Sequence, residues 1–236
     1  MKMRQRISNR LSYELDRARR KTSAAFDAKI FCISMQRTGT TSVGAFFDHF
    51  GYEVATWGVQ KRNRWTKLWF NGQLENIFRS FDFKTHNVFE DNPWWCGEFY
   101  RLLYHRFPKS SFVLFERDPD LWFDSMVRHS DGQTLGNTYR HSVEYNRNDE
   151  FYEKLGHTDH MYTDEIDNLM SLKGRRNHYT RYYSARNRRV ADFFRKNDPS
   201  RLVHLQLEDE LKWKKLGAAF NIDVPDGFEV HKNASS

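Results

Sequence analysis

The sequence is poor in cysteine and has no long apolar run. Cys32 and Cys96 are the only cysteines among 236 residues, too few for the disulfide framework of a small secreted protein. Cys32 lies in a short apolar segment, which predicts a buried free thiol and a reducing compartment. No segment approaches the ~20 apolar residues of a membrane-spanning helix, and the basic stretch 1–21 lacks a signal-peptide core. We therefore expect a cytoplasmic protein without a membrane span.

Metal-site spacings and nucleic-acid signatures are also missing. The ten histidines are scattered, without the clustering that a structural or catalytic metal requires, so we expect no metal. The net charge of +7 suits anionic partners such as nucleotide phosphates. Because the basic residues are spread along the chain and no RNA-binding motif is present, no specific nucleic-acid partner is expected.

The apolar pattern predicts an α/β fold. Short apolar runs typical of buried strands occupy residues 29–35, 52–56, 87–90, 111–116 and 202–205. Segments with helical spacing or helix-start signals occupy residues 42–50, 94–105, 119–128, 178–196 and 213–220. Strands that alternate with helices form parallel sheets with right-handed crossovers. We expect a three-layer sandwich with a central parallel sheet flanked by helices.

The length fits a single domain. Within residues 1–236 we distinguish a basic leader at 1–27, an α/β core at 28–129, a cap segment at 130–176 and a C-terminal helix–strand–helix segment at 177–236. The cap segment is rich in Asn, Asp, His and Tyr, which predicts loops and short helices inserted over the site.

The turn after the first predicted strand has the chemistry of a phosphate-binding loop. It consists of Gln36, Arg37, Thr38, Gly39, Thr40, Thr41 and Ser42. Backbone N–H groups at a helix start attract anions, and a glycine lets the backbone approach them closely. The hydroxyls of the loop can donate to phosphate oxygens, and the Arg37 guanidinium adds a cation that can donate two hydrogen bonds to one phosphate group. The alternative is an ordinary Thr/Gly-rich helix cap.

This loop differs from the ATP-binding loop G-x-x-x-x-G-K-[ST]. When Gly39 is aligned with the second glycine, Ser34 replaces the first glycine and Thr40 replaces the lysine. Without the lysine that reaches the β/γ-phosphates, ATP hydrolysis is disfavoured. A P-loop phosphotransferase or kinase stays as an alternative, as does a non-catalytic nucleotide- or RNA-binding module.

The loop resembles the 5′-phosphosulfate loop of sulfotransferases that use PAPS (3′-phosphoadenosine-5′-phosphosulfate). A second motif supports the resemblance: Arg117, Asp118 and Pro119 follow the strand predicted at 111–116, and Ser125 lies in the next helix. In that family an Arg and a Ser at these positions bind the donor's 3′-phosphate. An Arg at the carboxyl end of a parallel strand also points into the ligand crevice. The alternative for Arg117 is a surface ion pair.

The resemblance is closest to the bacterial and fungal branch, and it implies a P-loop-like fold with a donor-binding core at 28–129. Ser42 stands where the cytosolic branch often has a tryptophan that stacks on adenine, so the sequence leaves the adenine contact open. The family places its catalytic base at the end of the strand between the two motifs. Asp91 occupies that position.

Glu90 is the rival to Asp91 as the base. Adjacent residues of a strand point to opposite faces, so only one of the two is expected to face the site. A third interpretation makes Asp91 the helix cap of the segment predicted to be helical from Trp94.

The resemblance implies transfer of a sulfuryl group from PAPS to an acceptor hydroxyl or amine, in line, in one step and without a metal, releasing PAP. Arg37 and the loop donors would stabilise the developing charge, and Asp91 would take the acceptor's proton. We expect a small-molecule or glycan acceptor. It could stack on tryptophans that could equally be core residues: Trp57, Trp65, Trp69, Trp94 and Trp95. The sequence leaves the oligomeric state open.

Overall fold

The computed structural model describes residues 28–129, 139–150, 172 and 174–230. The leader predicted at 1–27 and much of the cap segment predicted at 130–176 lie outside the described residues. Of the described residues, those up to Phe115 and those from Asp198 onward form one compact unit, which we call the sheet unit. Those from Glu116 to Asn197 form a second, the helical unit.

The strands are β1 (Ile30–Cys32), β2 (Val54–Ala55), β3 (Val88–Phe89), β4 (Ser111–Glu116) and β5 (Leu202–Gln206). The helices are α1 (Thr40–His49), α2 (Trp57–Asn63), α3 (Trp65–Phe70), α4 (Leu74–Arg79), α5 (Phe81–Thr85), α6 (Phe99–Arg106), α7 (Pro119–Arg128), α8 (Tyr139–Glu144), α9 (Arg176–Asn197) and α10 (Lys212–Ala219). Among these helices none is both long and apolar enough to cross a bilayer.

The strands form one sheet in the order β2-β3-β1-β4-β5. β1 is parallel to both β3 and β4, with Phe31 paired to Phe89 and to Phe112. β2 is parallel to β3, with Ala55 paired to Phe89. The predicted α/β fold with a central parallel sheet is confirmed. β3 lies between β1 and β2, so the first two strands along the chain are not neighbours.

One face of the sheet packs against α1 and α10. Its buried cluster combines Cys32 and Val113 from the strands with Phe46 of α1 and Trp213 of α10. The rings of Phe46 and Trp213 are stacked, with centroids 5.5 Å apart. Because alternate strand residues point to opposite faces, the remaining strand side chains face a second helical layer.

That second layer is aromatic. Phe31, in the middle of β1, has no exposed surface. Its ring centroid lies 5.3–6.4 Å from those of Phe83, Phe89, Trp94, Phe107 and Phe112. Helices on one face, the sheet, and these aromatic segments on the other face make the three layers that the sequence predicts. Part of the high aromatic content is used in this layer.

Several predicted elements have the expected bounds, and others differ for local reasons. β4 and α7 begin and end where predicted. The helix predicted from Trp94 instead begins at Phe99, after a series of turns in which Gly97 has a left-handed φ of +47°. The segment 57–85 holds four short helices, α2 to α5, that the apolar pattern did not predict.

In the helical unit, α7 packs along α9. The ring of Trp122 stacks on Tyr183 with centroids 4.3 Å apart, and both side chains are fully buried. At the surface, Arg176 forms ion pairs with Asp120 and Asp124. The long helix predicted at 178–196 is therefore confirmed as α9, and its apolar side covers α7.

Candidate active site

Ser34 fixes the point where the chain leaves β1. The N–H of Ile33 still donates to the carbonyl of Val113 at 2.9 Å. At Ser34 a side chain instead of the backbone bonds to β4, because the Ser34 Oγ accepts the N–H of Phe115 at 2.6 Å. Ser34 is 1% exposed. The residue that replaces the first glycine of an ATP-binding loop thus ties the start of this loop to β4.

Residues with a left-handed φ alternate with a residue that does not have one along the loop. Arg37 has a φ of +67° and Gly39 a φ of +80°, whereas Thr38 between them is not left-handed. Such alternation turns successive N–H groups toward one concave site, a nest, that binds anions. A left-handed Arg costs about 1–2 kcal/mol, and strain of this kind concentrates at functional sites.

Gly39 is required by its surroundings as well as by its φ. A Cβ at this position would lie 2.8 Å from Cδ1 of Leu207, which follows β5. Gly39 is the N-cap of α1 and supplies no side-chain helix cap. The first N–H groups of a helix have no acceptor within the helix, and the helix dipole makes this end positive. Nest and helix start therefore adjoin each other.

The hydroxyl groups of the loop have different surroundings. Thr38 is fully buried, and its Oγ1 donates to the carbonyl of Met35 at 2.5 Å. Thr38 thus closes the loop with its side chain and would reach a ligand through its backbone N–H. Thr40 and Ser42 are also buried, whereas Arg37 and Thr41 are partly exposed.

Glu90 follows β3 and is 2% exposed. Its carboxyl group lies against α1, where a Cβ on Gly44 would come within 3.0 Å of Cδ. It accepts the backbone N–H of Trp57 at the start of α2, and its Oε2 has no hydrogen-bond partner. Burial, reinforced by the negative charge of Asp91, raises the pKa of Glu90 to about 8.

Asp91 has a different environment from its neighbour. Its φ is +67°, so the chain turns sharply at the end of β3 and leaves Asp91 partly exposed. Its Oδ1 accepts the N–H of Asn92 at 2.8 Å, and burial raises the pKa of its carboxyl group. Because α6 begins only at Phe99, the interpretation of Asp91 as a cap for a helix at Trp94 is wrong.

In the helical unit, the residues after β4 build the start of α7. The carboxylate of Asp118 accepts the N–H groups of Asp120 and Leu121, both at 3.0 Å. Pro119 occupies the first turn, where its fixed φ suits the helix and its missing N–H costs nothing. Ser125 lies two turns later on α7 and is 3% exposed.

Arg117 is held by a residue that the sequence did not single out. Its backbone N–H donates to the hydroxyl oxygen of Tyr183 at 2.8 Å, and the Tyr183 ring is stacked on Trp122. Burial raises the pKa of Tyr183, so the hydroxyl keeps its proton. No local pattern could reveal this contact, because 66 residues separate the two partners.

The sequence matches the family model of the sulfotransferase domain over residues 29–236. The chain belongs to the sulfotransferase family. The matched range includes the loop, the Glu90–Asp91 pair and the Arg117 motif, and the predicted membership of the sulfotransferase family is confirmed. No curated protein sequence matches the chain.

The tryptophans of this sulfotransferase divide into core and surface. Trp65, Trp94 and Trp95 are at most 2% exposed, and the rings of Trp65 and Trp94 pack in the aromatic layer. Trp57 is 51% exposed, and Trp69 is partly exposed. Within the described ranges, the histidine, cysteine and acidic side chains form no group of three that could hold a metal ion.

Proposed function

We propose that this sulfotransferase uses PAPS as its donor and transfers the sulfuryl group, in line and without a metal, to a hydroxyl or amine of a small-molecule or glycan acceptor. The observation that carries the proposal is the left-handed pair Arg37 and Gly39 directly before α1. Nest, helix dipole and guanidinium together fit a doubly anionic phosphosulfate better than a neutral ligand.

Two sets of residues would hold the donor. Its 5′-phosphosulfate would lie on the loop, with contacts from Gln36, Arg37, Thr38, Gly39, Thr40, Thr41 and Ser42. Its 3′-phosphate would be bound by Arg117 and Ser125, as the family resemblance implies. When bound, PAPS supplies the sulfuryl group and leaves as PAP. Arg37 and the loop N–H groups would stabilise the charge on the sulfuryl and leaving oxygens.

Asp91 suits the role of base better than Glu90. Asp91 is partly exposed and its raised pKa makes it a stronger base than an ordinary carboxylate. Asp91 would take the acceptor's proton while the new bond to sulfur forms and the bond between sulfur and the phosphate oxygen breaks. The proton then passes to solvent. Glu90, enclosed by α1 and α2, keeps its own proton up to about pH 8.

Calorimetric binding of PAP and of ATP·Mg²⁺ tests the donor assignment. We expect wild type to bind PAP more tightly than ATP·Mg²⁺. Arg117→Ala should weaken PAP binding by about 10- to 100-fold, because hydrogen bonds to charged groups contribute about 1.5–3 kcal/mol. Arg128→Ala is the matched control, since Arg128 is exposed at the end of α7, the helix that follows Arg117, and its removal changes the net charge equally.

Three results would contradict this proposal. Tighter binding of ATP·Mg²⁺ than of PAP would favour a phosphotransferase. Equal PAP affinity in wild type and Arg117→Ala would remove Arg117 from the donor site. A loss of PAP affinity in Arg128→Ala as large as in Arg117→Ala would indicate a general charge effect instead of a 3′-phosphate contact.

A further inference from the structure

Trp57 is more exposed to solvent than the other tryptophans near the site. Its side chain is 51% exposed, whereas Trp65 and Trp94 have no exposed surface. A single exposed aromatic ring is common on protein surfaces, so exposure alone assigns no role. The position of Trp57 in the sheet unit supplies the reason to consider one.

The β2–β3 register places Trp57 beside the proposed base. Ala55 is paired with Phe89 in the parallel strands. Trp57 lies two residues after Ala55, and Asp91 lies two residues after Phe89. Both therefore follow the carboxyl ends of neighbouring strands that are about 4.8 Å apart. Trp57 also contacts the neighbour of Asp91 directly, since the N–H of Trp57 donates to the Glu90 carboxyl group.

β2 is also remote from the strand that leads to the donor motif. In the order β2-β3-β1-β4-β5, the loop after β1 has β3 and β2 on one side and β4 on the other. Arg117 follows β4 in the chain. A residue after β2 is therefore on the side of the loop where Asp91 lies, the side from which an acceptor must approach its base.

Lys61 places a positive charge beside the Trp57 indole. Its Nζ lies 4.8 Å from the centroid of the Trp57 ring, one helical turn along α2. Both side chains are exposed. A ligand ring that contacts the exposed indole surface would bring its substituents within reach of the ammonium group, which favours a negatively charged substituent.

We propose that Trp57 and Lys61 form an acceptor subsite for a molecule that carries both a flat or sugar ring and an anionic group. This subsite rests on the proposed sulfuryl transfer and specifies its acceptor class. The indole holds the ring, the ammonium group selects the anion, and the hydroxyl to be sulfated extends toward Asp91. An anionic phenol and a uronic-acid sugar share this chemistry.

Two matched pairs of probes test the subsite. The phenols are 4-hydroxybenzoate and its neutral analogue 4-hydroxybenzamide, and the sugars are methyl β-glucuronide and methyl β-glucoside. Binding of each probe to the protein–PAP complex is measured by ligand-observed NMR, alongside KM in a transfer assay. The stronger anionic probe identifies the acceptor as phenol or sugar.

We expect wild type to bind the anionic member of at least one pair more tightly than its neutral analogue. Trp57→Ala should weaken binding of that probe about tenfold, with Trp57→Phe restoring part of it. Lys61→Gln should abolish the preference for the anion, a change of about threefold. Phe81→Ala is the control, since Phe81 is 78% exposed on α5, and it should leave every value unchanged.

The possible failures are distinguishable. Absence of PAP binding by wild type would refute the proposed function itself. Normal PAP binding with equal probe affinities in wild type and Trp57→Ala, or no binding of any probe, would refute the subsite alone. Weaker PAP binding in Trp57→Ala would place the indole in the donor site and overturn its assignment to the acceptor.

Discussion

The loop after β1 and the turn after β3 both end a strand of the same sheet, yet their chemistry has different origins. The loop's geometry comes from the backbone itself, through the left-handed residues Arg37 and Gly39 and the internal bond from Thr38 to Met35. The chemistry of the β3 turn depends on what surrounds two adjacent carboxyl groups, Glu90 and Asp91.

This difference separates local from tertiary determinants of the site. A backbone anion site needs a glycine, a helix start and a few hydroxyl groups, all within one short segment. The protonation of Glu90 depends instead on α1 at Gly44 and on α2 at Trp57. We therefore expect variants of the turn to change catalysis and pH dependence, and variants of the loop to change donor affinity.

The largest expected effect is that of Asp91→Asn on turnover. Removing the proposed base should lower kcat by about 10²–10⁴-fold, while the PAP affinity measured by calorimetry stays within about twofold because Asp91 does not contact PAP in this scheme. The wild-type rate should rise with pH through the raised pKa of Asp91, and this rise should be lost in the variant.

The neighbouring variant Glu90→Gln serves as the comparison for turnover. It should retain far more activity than Asp91→Asn, since Glu90 is buried and protonated in the working enzyme. If Glu90→Gln instead loses the larger share of kcat at neutral pH, the roles of the two carboxyl groups are reversed.

Glu90→Gln has its own expected effect on stability. An unfolded Glu ionises near pH 4.5, whereas Glu90 in the folded protein holds its proton to about pH 8. Between these values unfolding releases a proton, so the free energy of unfolding falls as pH rises, on the order of a few kcal/mol in all. The variant should lose most of this slope in urea unfolding at pH 5, 6, 7 and 8.

The slope of the unfolding free energy against pH is a better measure of Glu90 protonation than the absolute stability. The Gln amide places new N–H donors in a buried site, which changes the absolute stability by itself. Asp91 contributes a slope of the same sign, so some pH dependence should persist. A wild-type stability that is flat from pH 5 to 8 would show that Glu90 is ionised in the fold.

The sequence predicts the fold best where its signals are strong and local. The bounds of β4 and α7 could be predicted because six apolar or flanking residues form the strand and Pro119 marks the first turn of the helix. α2 is only seven residues long and α5 only five. Each therefore makes fewer than two helical turns. Such helices show no detectable apolar period.

The candidate site follows the same rule. The loop residues are contiguous, so the prediction of a phosphate-binding loop needs only their order in the sequence. The support of Arg117 by Tyr183, the contact of Leu207 with Gly39 and the enclosure of Glu90 all join residues from distant parts of the chain. These contacts depend on tertiary packing, which a single sequence does not specify.

The smallest expected effect concerns the loop and falls mainly on donor affinity. Gly39→Ala must adopt a left-handed φ, at about 1–2 kcal/mol, and must place Cβ where Leu207 now lies. We expect about tenfold weaker PAP binding by calorimetry and a smaller fall in kcat at saturating donor, because the loop N–H groups also stabilise the charge that develops during transfer. Leu207→Ala in the same chain should recover the steric part of the loss and leave the part due to φ.

Gly72→Ala is the matched control for this last variant. Gly72 has a φ of +70°, close to that of Gly39, but a Cβ there would meet no atom within 4 Å. It should lower the free energy of unfolding by a similar amount, about 1 kcal/mol, without altering PAP affinity. Equal PAP affinity in Gly39→Ala and Gly72→Ala would mean that the hand of the backbone at Gly39 does not shape the anion site, and the contrast between loop and turn would fail at the loop.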